Sequence, residues 1–303
     1  MIKSVKDLLA VAKQGKSMRL VVAAAQDEDV LSAVCKAAKE AIITPILVGD
    51  AEEIRQIAET HHLDVSDYEI IQVEDLKETA KVAVKLVSDG KADFLMKGLI
   101  DTSILLKAVL DKEIGLRTDS LLSHVMIYEP THYHKLLFLT DGGMNIEPSY
   151  EEKVKITQNA ITVCKAMGIE TVKVAGIAAK EKVNEKMLAT VDARKLQELS
   201  KTGHFGNDVI IEGPLALDLA VSKEAAITKR FESEIAGDVD VLLVPTIEVG
   251  NGIGKTLTYL AGADSAGIIM GAKVPIVLVS RADSYEAKLN SIALGSVIAS
   301  YKG

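Results

Sequence analysis

Two short stretches carry the residue types that anion chemistry needs. The first is EVGNGIGKTL, Glu248 to Leu257. Gly254, Lys255 and Thr256 match the end of the phosphate-cradling pattern G-x-x-x-x-G-K-[ST], but its opening glycine falls on Val249. Gly250, Gly252 and Gly254 read G-x-G-x-G, which also lacks the spacing of the dinucleotide fingerprint G-x-G-x-x-G. ATP and NAD are thus poor fits, while a glycine-rich anion contact at Gly250, Asn251 and Lys255 stays open. The second stretch is SRADSYE, where Ser280 and Arg281 follow an apolar run and precede a helical pattern. A guanidinium binds two phosphate oxygens at once, which suits Arg281 to a phosphate dianion. Asp283 and Glu286 lie close enough to act as acid or base. Their spacing, D-x-x-E, equally fits a capping box.

Three further loops combine glycine with polar residues: MKG (96–98), LTDGGMN (139–145) and EGPLALD (212–218). They contribute Lys97, Asp141, Asn145 and Asp218 as candidate ligand contacts. Each has a plainer reading, as a strand-end lysine, a loop cap or a polar helix position. No cluster has metal-ligand spacing; His132 and His134 share one face of a strand but lack a third partner. Cys35 and Cys164 fall on apolar helix faces, which favours packing over nucleophilic chemistry.

These loops need elements to hold them, and the rest of the chain supplies a regular set. MRLVVAAA, ITPILVGD, YEIIQV and ADFLMKG read as strands, each followed by an amphipathic helical stretch. Such alternation predicts a parallel sheet with both faces covered, and candidate loops at the carboxyl ends of its strands. SHVMIYE and YHKLLFLT follow each other across Pro130 without a crossover helix and read as a paired hairpin. TVKVAGIAA, VIIEGPL, DVLLVPT and VPIVLVS are four further strands. A helix is predicted from about Ser149 to Met167, another over Gly252 to Leu260, and a last one over Asp283 to Ile298.

Composition narrows the partners. The 303 residues are 48% apolar and 26% charged, with a net charge of −8 and no tryptophan. This is a globular balance that argues against a nucleic-acid surface. No apolar run reaches bilayer length. The opening MIKSVKDLLAVAKQGK breaks its apolar pattern with charges, so a cytoplasmic location is expected.

Taken together, MKG with LLSHV, FLTDGGMNIEP, GPLALDLA, the G-N-x-x-x-K of GNGIGK and SRADSYEAKLNSIAL resemble the phosphate acyltransferase family, its butyryl branch most closely. The resemblance implies reversible transfer of a short-chain acyl group from acyl-CoA to inorganic phosphate. The implied route is direct attack in a ternary complex, without acyl-enzyme or metal, with coenzyme A and phosphate as substrates rather than bound cofactors. It implies two α/β domains with a cleft between them, like isocitrate and isopropylmalate dehydrogenases. Residues 1–140 plus about 280–303 would form the first domain, and 141–279 the second, carrying a homodimer interface. It also implies a functional Ser-Arg pair at Ser280 and Arg281. The aspartate of the acetyl branch, seven residues beyond that serine, falls on Ala287, which leaves the base open. Acetyl specificity is the near alternative. A metal- and NAD-dependent β-decarboxylating dehydrogenase or a non-catalytic CoA-binding module is more remote.

Overall fold

The computed structural model describes residues 2–280 and 283–301. The chain divides into two compact units, one of Val5–Leu121 with Ala266–Gly303 and one of Met1–Ser4 with Leu122–Ser265. In chain order the first begins α1 (Val5–Gln14), β1 (Met18–Ala23), α2 (Glu28–Lys39), β2 (Ile43–Gly49), α3 (Ala51–Thr60), β3 (Glu69–Gln72), α4 (Leu76–Ser88), β4 (Phe94–Lys97) and α5 (Thr102–Val109). The second holds β5 (Ser123–Glu129), β6 (Leu137–Thr140), α6 (Tyr150–Ala166), β7 (Val172–Ile177), α7 (Leu188–Lys201), β8 (Val209–Leu215), α8 (Leu217–Val221), α9 (Lys223–Thr228), β9 (Val241–Leu243) and α10 (Ile247–Lys255). A π-helical turn, Thr256–Leu260, extends α10. The chain then returns to the first unit through β10 (Asp264–Met270), β11 (Ile276–Val277) and α11 (Tyr285–Ser300).

In the first unit the strands run in the order β3-β2-β1-β4-β11-β10. β1 is parallel to β2 and β4, as Val21 faces Ile46 on one side and Leu95 on the other. The wholly apolar centres of these strands follow from burial on both faces. Leu20, Phe94, Leu95 and Met96 are fully buried, each contributing roughly 1.5–3 kcal/mol. Helix starts are set by short polar side chains. Asp27, Asp50 and Asp75 accept backbone N–H bonds at the N-termini of α2, α3 and α4.

In the second unit the order is β5-β6-β9-β7-β8. The hairpin expected around Pro130 is present: β5 and β6 are antiparallel, with Ile127 opposite Phe138. β9 lies parallel to both β6 and β7. The hairpin keeps residues 122–140 with the unit that follows them, and Ile2 joins the same unit by donating its N–H to Met167 O at 3.0 Å. The unit boundaries therefore fall at 122 and 266 rather than near 141 and 280. α6 starts at Ser149 through a reciprocal capping box with Glu152.

Two expectations change. β10, over DSAGIIM, is a strand that the sequence reading passed over. The helix expected over 252–260 starts at Ile247 instead, so the glycines of GNGIGK lie inside it. No helix among the described residues is long and apolar enough to cross a membrane.

Candidate active site

Asp141 organises the loop that leaves β6. Its side chain is buried, at 2% exposure. One carboxylate oxygen accepts the N–H groups of Gly143 and Met144 at 2.8 and 2.9 Å. The other accepts Asn145 Nδ2 at 2.6 Å and the His124 N–H at 3.1 Å. A carboxylate has about four lone-pair sites, and these four donors, three from the loop and one from β5, occupy them. Asn145 Nδ2 also donates to Leu122 O at 2.9 Å. Both residues thus hold the loop together from within.

The same loop meets α10 at unusually short range. A Cβ on Gly142 would lie 2.8 Å from the Gly250 carbonyl carbon, and one on Gly250 would lie 2.6 Å from Gly142 Cα. One turn on, a Cβ on Gly254 would meet the Tyr128 hydroxyl at 2.6 Å. Gly250 and Gly254 are therefore the packing face of a helix, at the i, i+4 spacing that puts them on one side. The Gly250 N–H is already bonded to Thr246 O at 3.2 Å. The glycine-rich stretch is thus helical, and Gly250 lets its backbone approach Gly142. Asn251 and Lys255, also at i, i+4, lie together on an exposed part of α10. Asn251 Nδ2 reaches Gly142 O at 3.4 Å, and Lys255 Nζ lies 5.5 Å from the centre of the Tyr259 ring. The structure thus brings Asp141, Asn145, Gly250 and Asn251 into one cluster, with Lys255 one turn away.

Asp218 is placed differently. It is exposed on α8 and paired with Lys229 at 2.8 Å. The hydrogen bond from Lys229 and the backbone bond from Leu219 outweigh partial burial and lower its pKa.

The first unit carries the other candidates. Lys97, at the end of β4, is buried and donates to the carbonyls of Gly98 and Ile100, both at 3.2 Å. Beyond β11, Ser280 is exposed and its N–H donates to Asp283 Oδ2 at 2.7 Å. The Asp283 N–H returns a bond to Ser280 O at 3.1 Å. Arg281 lies outside the described residues. The cap of α11 is Ser284, whose hydroxyl accepts the Ala287 N–H at 3.2 Å. The expected D-x-x-E box is thus corrected: Asp283 bonds Ser280, and Glu286 is an exposed residue of the first helical turn.

Two participants escaped sequence reasoning. Lys288, 2% exposed, donates to Asp283 O at 2.6 Å and to Asp29 Oδ2 at 3.2 Å. His124 sits under Gly143, where a Cβ would come within 2.5 Å of its ring. Both lie inside stretches that carry the family resemblance, His124 in LLSHV and Lys288 in SRADSYEAKLNSIAL, but neither was singled out within them. Cys164 is fully buried, and burial raises the pKa of its thiol far above the usual range. Burial likewise raises that of Cys35, against a hydrogen bond from Tyr68.

A match to the phosphate acetyl/butaryl transferase family covers residues 4–82 and 72–296. The chain belongs to this family. It is 46% identical over 302 residues to phosphate butyryltransferase of Clostridium acetobutylicum, spanning 100% of both chains. It is also 43% identical to a phosphate acetyltransferase of Thermotoga maritima, over 94% of this chain and 97% of that one. Among solved structures, a branched-chain phosphotransacylase from Enterococcus faecalis aligns with a TM-score of 0.81 at 34% identity, covering 94% of this chain and 100% of that chain. The matched residues include every candidate named above.

Proposed function

We propose that this phosphate acyltransferase moves a short-chain acyl group, butyryl or branched, reversibly between coenzyme A and inorganic phosphate. The observation that carries the reading is the full-length match at 46% identity to a phosphate butyryltransferase. In the proposed step a phosphate oxygen attacks the thioester carbonyl carbon, the C–S bond breaks, and coenzyme A leaves as thiolate or thiol. The products are acyl phosphate and coenzyme A.

Ser280 and Arg281 are assigned to the phosphate and to the developing oxyanion. Aligned donors at such an oxyanion contribute roughly 3 kcal/mol each. Asp283 is engaged with the Ser280 N–H, which supports its part in shaping the turn over proton transfer. Glu286 is the remaining candidate for the proton of the coenzyme A thiol, whose ordinary pKa is about 8.5. Asn251 and Lys255, exposed on α10, are assigned to coenzyme A. The polypeptide contributes no nucleophile in this scheme. The raised pKa of both cysteines agrees with that, since each thiol is held in its neutral form.

The fold is read as a two-domain α/β architecture of the isocitrate and isopropylmalate dehydrogenase kind, which the two compact units support. A cytoplasmic homodimer with its interface in the second unit is the matching cellular reading.

Phosphate-dependent release of coenzyme A from acetyl-, propionyl-, butyryl- and isobutyryl-CoA tests the assignment. Butyryl- or isobutyryl-CoA is expected to give the highest kcat/KM. Preference for acetyl-CoA would move the chain to the acetyl branch, and no turnover of any would remove the enzyme reading. Arg281→Ala should lose at least a hundredfold in kcat/KM and Arg281→Lys clearly less. Equal, small effects would remove Arg281 from the site.

A further inference from the structure

The first unit holds a hollow beside α2 that lies outside the residues discussed so far. Ser32, Cys35, Lys36 and Lys39 recur at i, i+3, i+4 and i+7, the spacing of one helix face, and all four line it. Residues between α3 and β3, from His62 to Tyr68, supply a further part of its lining, and Tyr285, the first residue of α11, another. Its volume is about 640 Å³, within the roughly 300–1,000 Å³ of small-molecule sites. None of its lining residues is a candidate contact of the acyl-transfer reaction.

The lining divides by chemistry. Tyr68 and Tyr285, both half-buried, give it aromatic surface, and Leu63 and Ala38 add apolar surface. Burial raises the pKa of both tyrosine hydroxyls and of the Cys35 thiol, so this part is uncharged and repels no anion. The exposed rim carries the charge. Lys36 is paired with Glu40 at 2.8 Å, whereas Lys39 and Asp67 have no ion-pair partner among the described residues. His62 holds φ at 54° just past the end of α3. Glycine meets that left-handed backbone at lower cost, so the histidine brings its ring to the hollow against a backbone preference.

A flat ring stacks on tyrosine faces. A phosphate suits a free ammonium beside an imidazole, and a carboxylate accepts hydrogen bonds from ribose hydroxyls. We propose that this hollow binds a nucleoside monophosphate, its base on the tyrosines, its phosphate at Lys39 and His62, and its ribose hydroxyls at Asp67. A free amino acid would also match one cation and one carboxylate, but it would leave most of the 640 Å³ unfilled. The site is additional to the acyl-transfer reading and does not depend on it.

Calorimetric titration of the full chain with AMP, in the absence of acyl-CoA and phosphate, tests this. AMP should bind saturably at submillimolar concentration, and leucine should give no binding heat. Lys39→Ala and Tyr68→Ala should each raise the AMP Kd at least fivefold, whereas Tyr68→Phe, which keeps the ring, should change it less than twofold. Wild type should prefer AMP to its 2′,3′-dideoxy analogue at least fivefold, and Asp67→Ala should reduce that preference below twofold. Without AMP, all variants should keep CoA release within twofold of wild type. No saturable AMP binding overturns the proposal, as does tighter binding of leucine than of AMP. AMP binding unchanged in Lys39→Ala and Asp67→Ala, the result for a nucleotide entering the coenzyme A site instead, overturns it as well. Lys39 and Asp67 are exposed, so these two variants decide the matter should Tyr68→Ala fail to fold. A wild-type protein without turnover would remove the acyl-transfer reading, and the same titrations would still decide the nucleotide site.

Discussion

Asp141 and Asp218 present the same sequence argument, an aspartate in a glycine-containing loop after a strand, yet the structure predicts opposite outcomes for their amides. In Asp141→Asn one carboxylate oxygen becomes NH2. Placed at Oδ2, that group faces the His124 N–H and Asn145 Nδ2, and the one oxygen that accepts both bonds is replaced by a donor. Placed at Oδ1, it faces the N–H groups of Gly143 and Met144. Turning the Asn145 amide does not repair the first case, because its oxygen would then oppose Leu122 O, which Nδ2 now serves at 2.9 Å. Either placement loses two hydrogen bonds to a charged acceptor, at roughly 1.5–3 kcal/mol each. The Asp141 side chain itself is buried, which limits what water can replace.

The sum, about 3–6 kcal/mol, is a large part of the roughly 5–15 kcal/mol that a domain has. At about 2–4 °C per kcal/mol for a unit of this size, Asp141→Asn should melt on the order of 10 °C below wild type. Asp218→Asn removes an exposed pair with Lys229, worth about 0–1 kcal/mol, and should melt within about 2 °C of wild type. Circular dichroism melts of the three proteins at pH 7 compare them directly. Phosphate-dependent CoA release, assayed well below the lower midpoint, separates loss of the loop from loss of the fold. Equal melting shifts for the two amides would refute the reading of Asp141 as the centre of its loop.

Gly250→Ala puts a Cβ 2.6 Å from Gly142 Cα, where only backbone can yield. It should lower the melting temperature by several degrees and reduce turnover, while Gly252→Ala, with no atom within 4 Å of its Cβ, should be neutral or stabilising by a few tenths of a kcal/mol. Partial burial raises the pKa of Asp238, but hydrogen bonds from Lys173, His134 and Lys135 prevail and hold it well below its ordinary value. The folded pKa lies below the unfolded one, so the contribution is full above about pH 4 and is lost as pH falls further. Melting temperatures between pH 6 and 3 should therefore fall less steeply in Asp238→Asn than in wild type; parallel curves would contradict this. A Cys35→Ala/Cys164→Ala double variant should keep wild-type kcat/KM in the CoA-release assay, and in the native wild type Cys164 should stay unlabelled by a thiol reagent that modifies the unfolded chain. A tenfold loss of activity in the double variant would bring back a covalent route.

How far the sequence reached depends on which interactions are local. Strands with apolar centres followed by amphipathic helices are local patterns, and they were legible. So was the β5–β6 hairpin, where the spacing around Pro130 left no room for a crossover. β10 was missed because Asp264–Gly267, DSAG, offers no β-branched run, although its antiparallel partner β11 follows only a few residues later. The glycines of GNGIGK were misread for a related reason. Glycine weakens a helix by about 1 kcal/mol relative to alanine, so a local reading assigns such a stretch to a turn. What keeps it helical is a non-local contact, Gly250 against Gly142, that only glycine at both positions permits. The i, i+4 spacing of Gly250 and Gly254 was the available clue.

The same logic divides the candidate site. Asp141 and Asn145 satisfy each other within five residues, so a loop cap was a fair reading from the sequence. Lys288 meets Asp29 across 259 positions, and nothing near either residue announces the pair. Its bond to Asp283 spans five residues, but it forms only because α11 is buried on every side, including the side that carries the lysine. An amphipathic reading of α11 assigns that side to solvent, and Lys288 then passes for an ordinary surface lysine. A charge inside a helix of small and apolar residues is better read as a question about what it holds. Here the answer is two oxygens from distant parts of the chain, the Asp283 carbonyl and the Asp29 carboxylate.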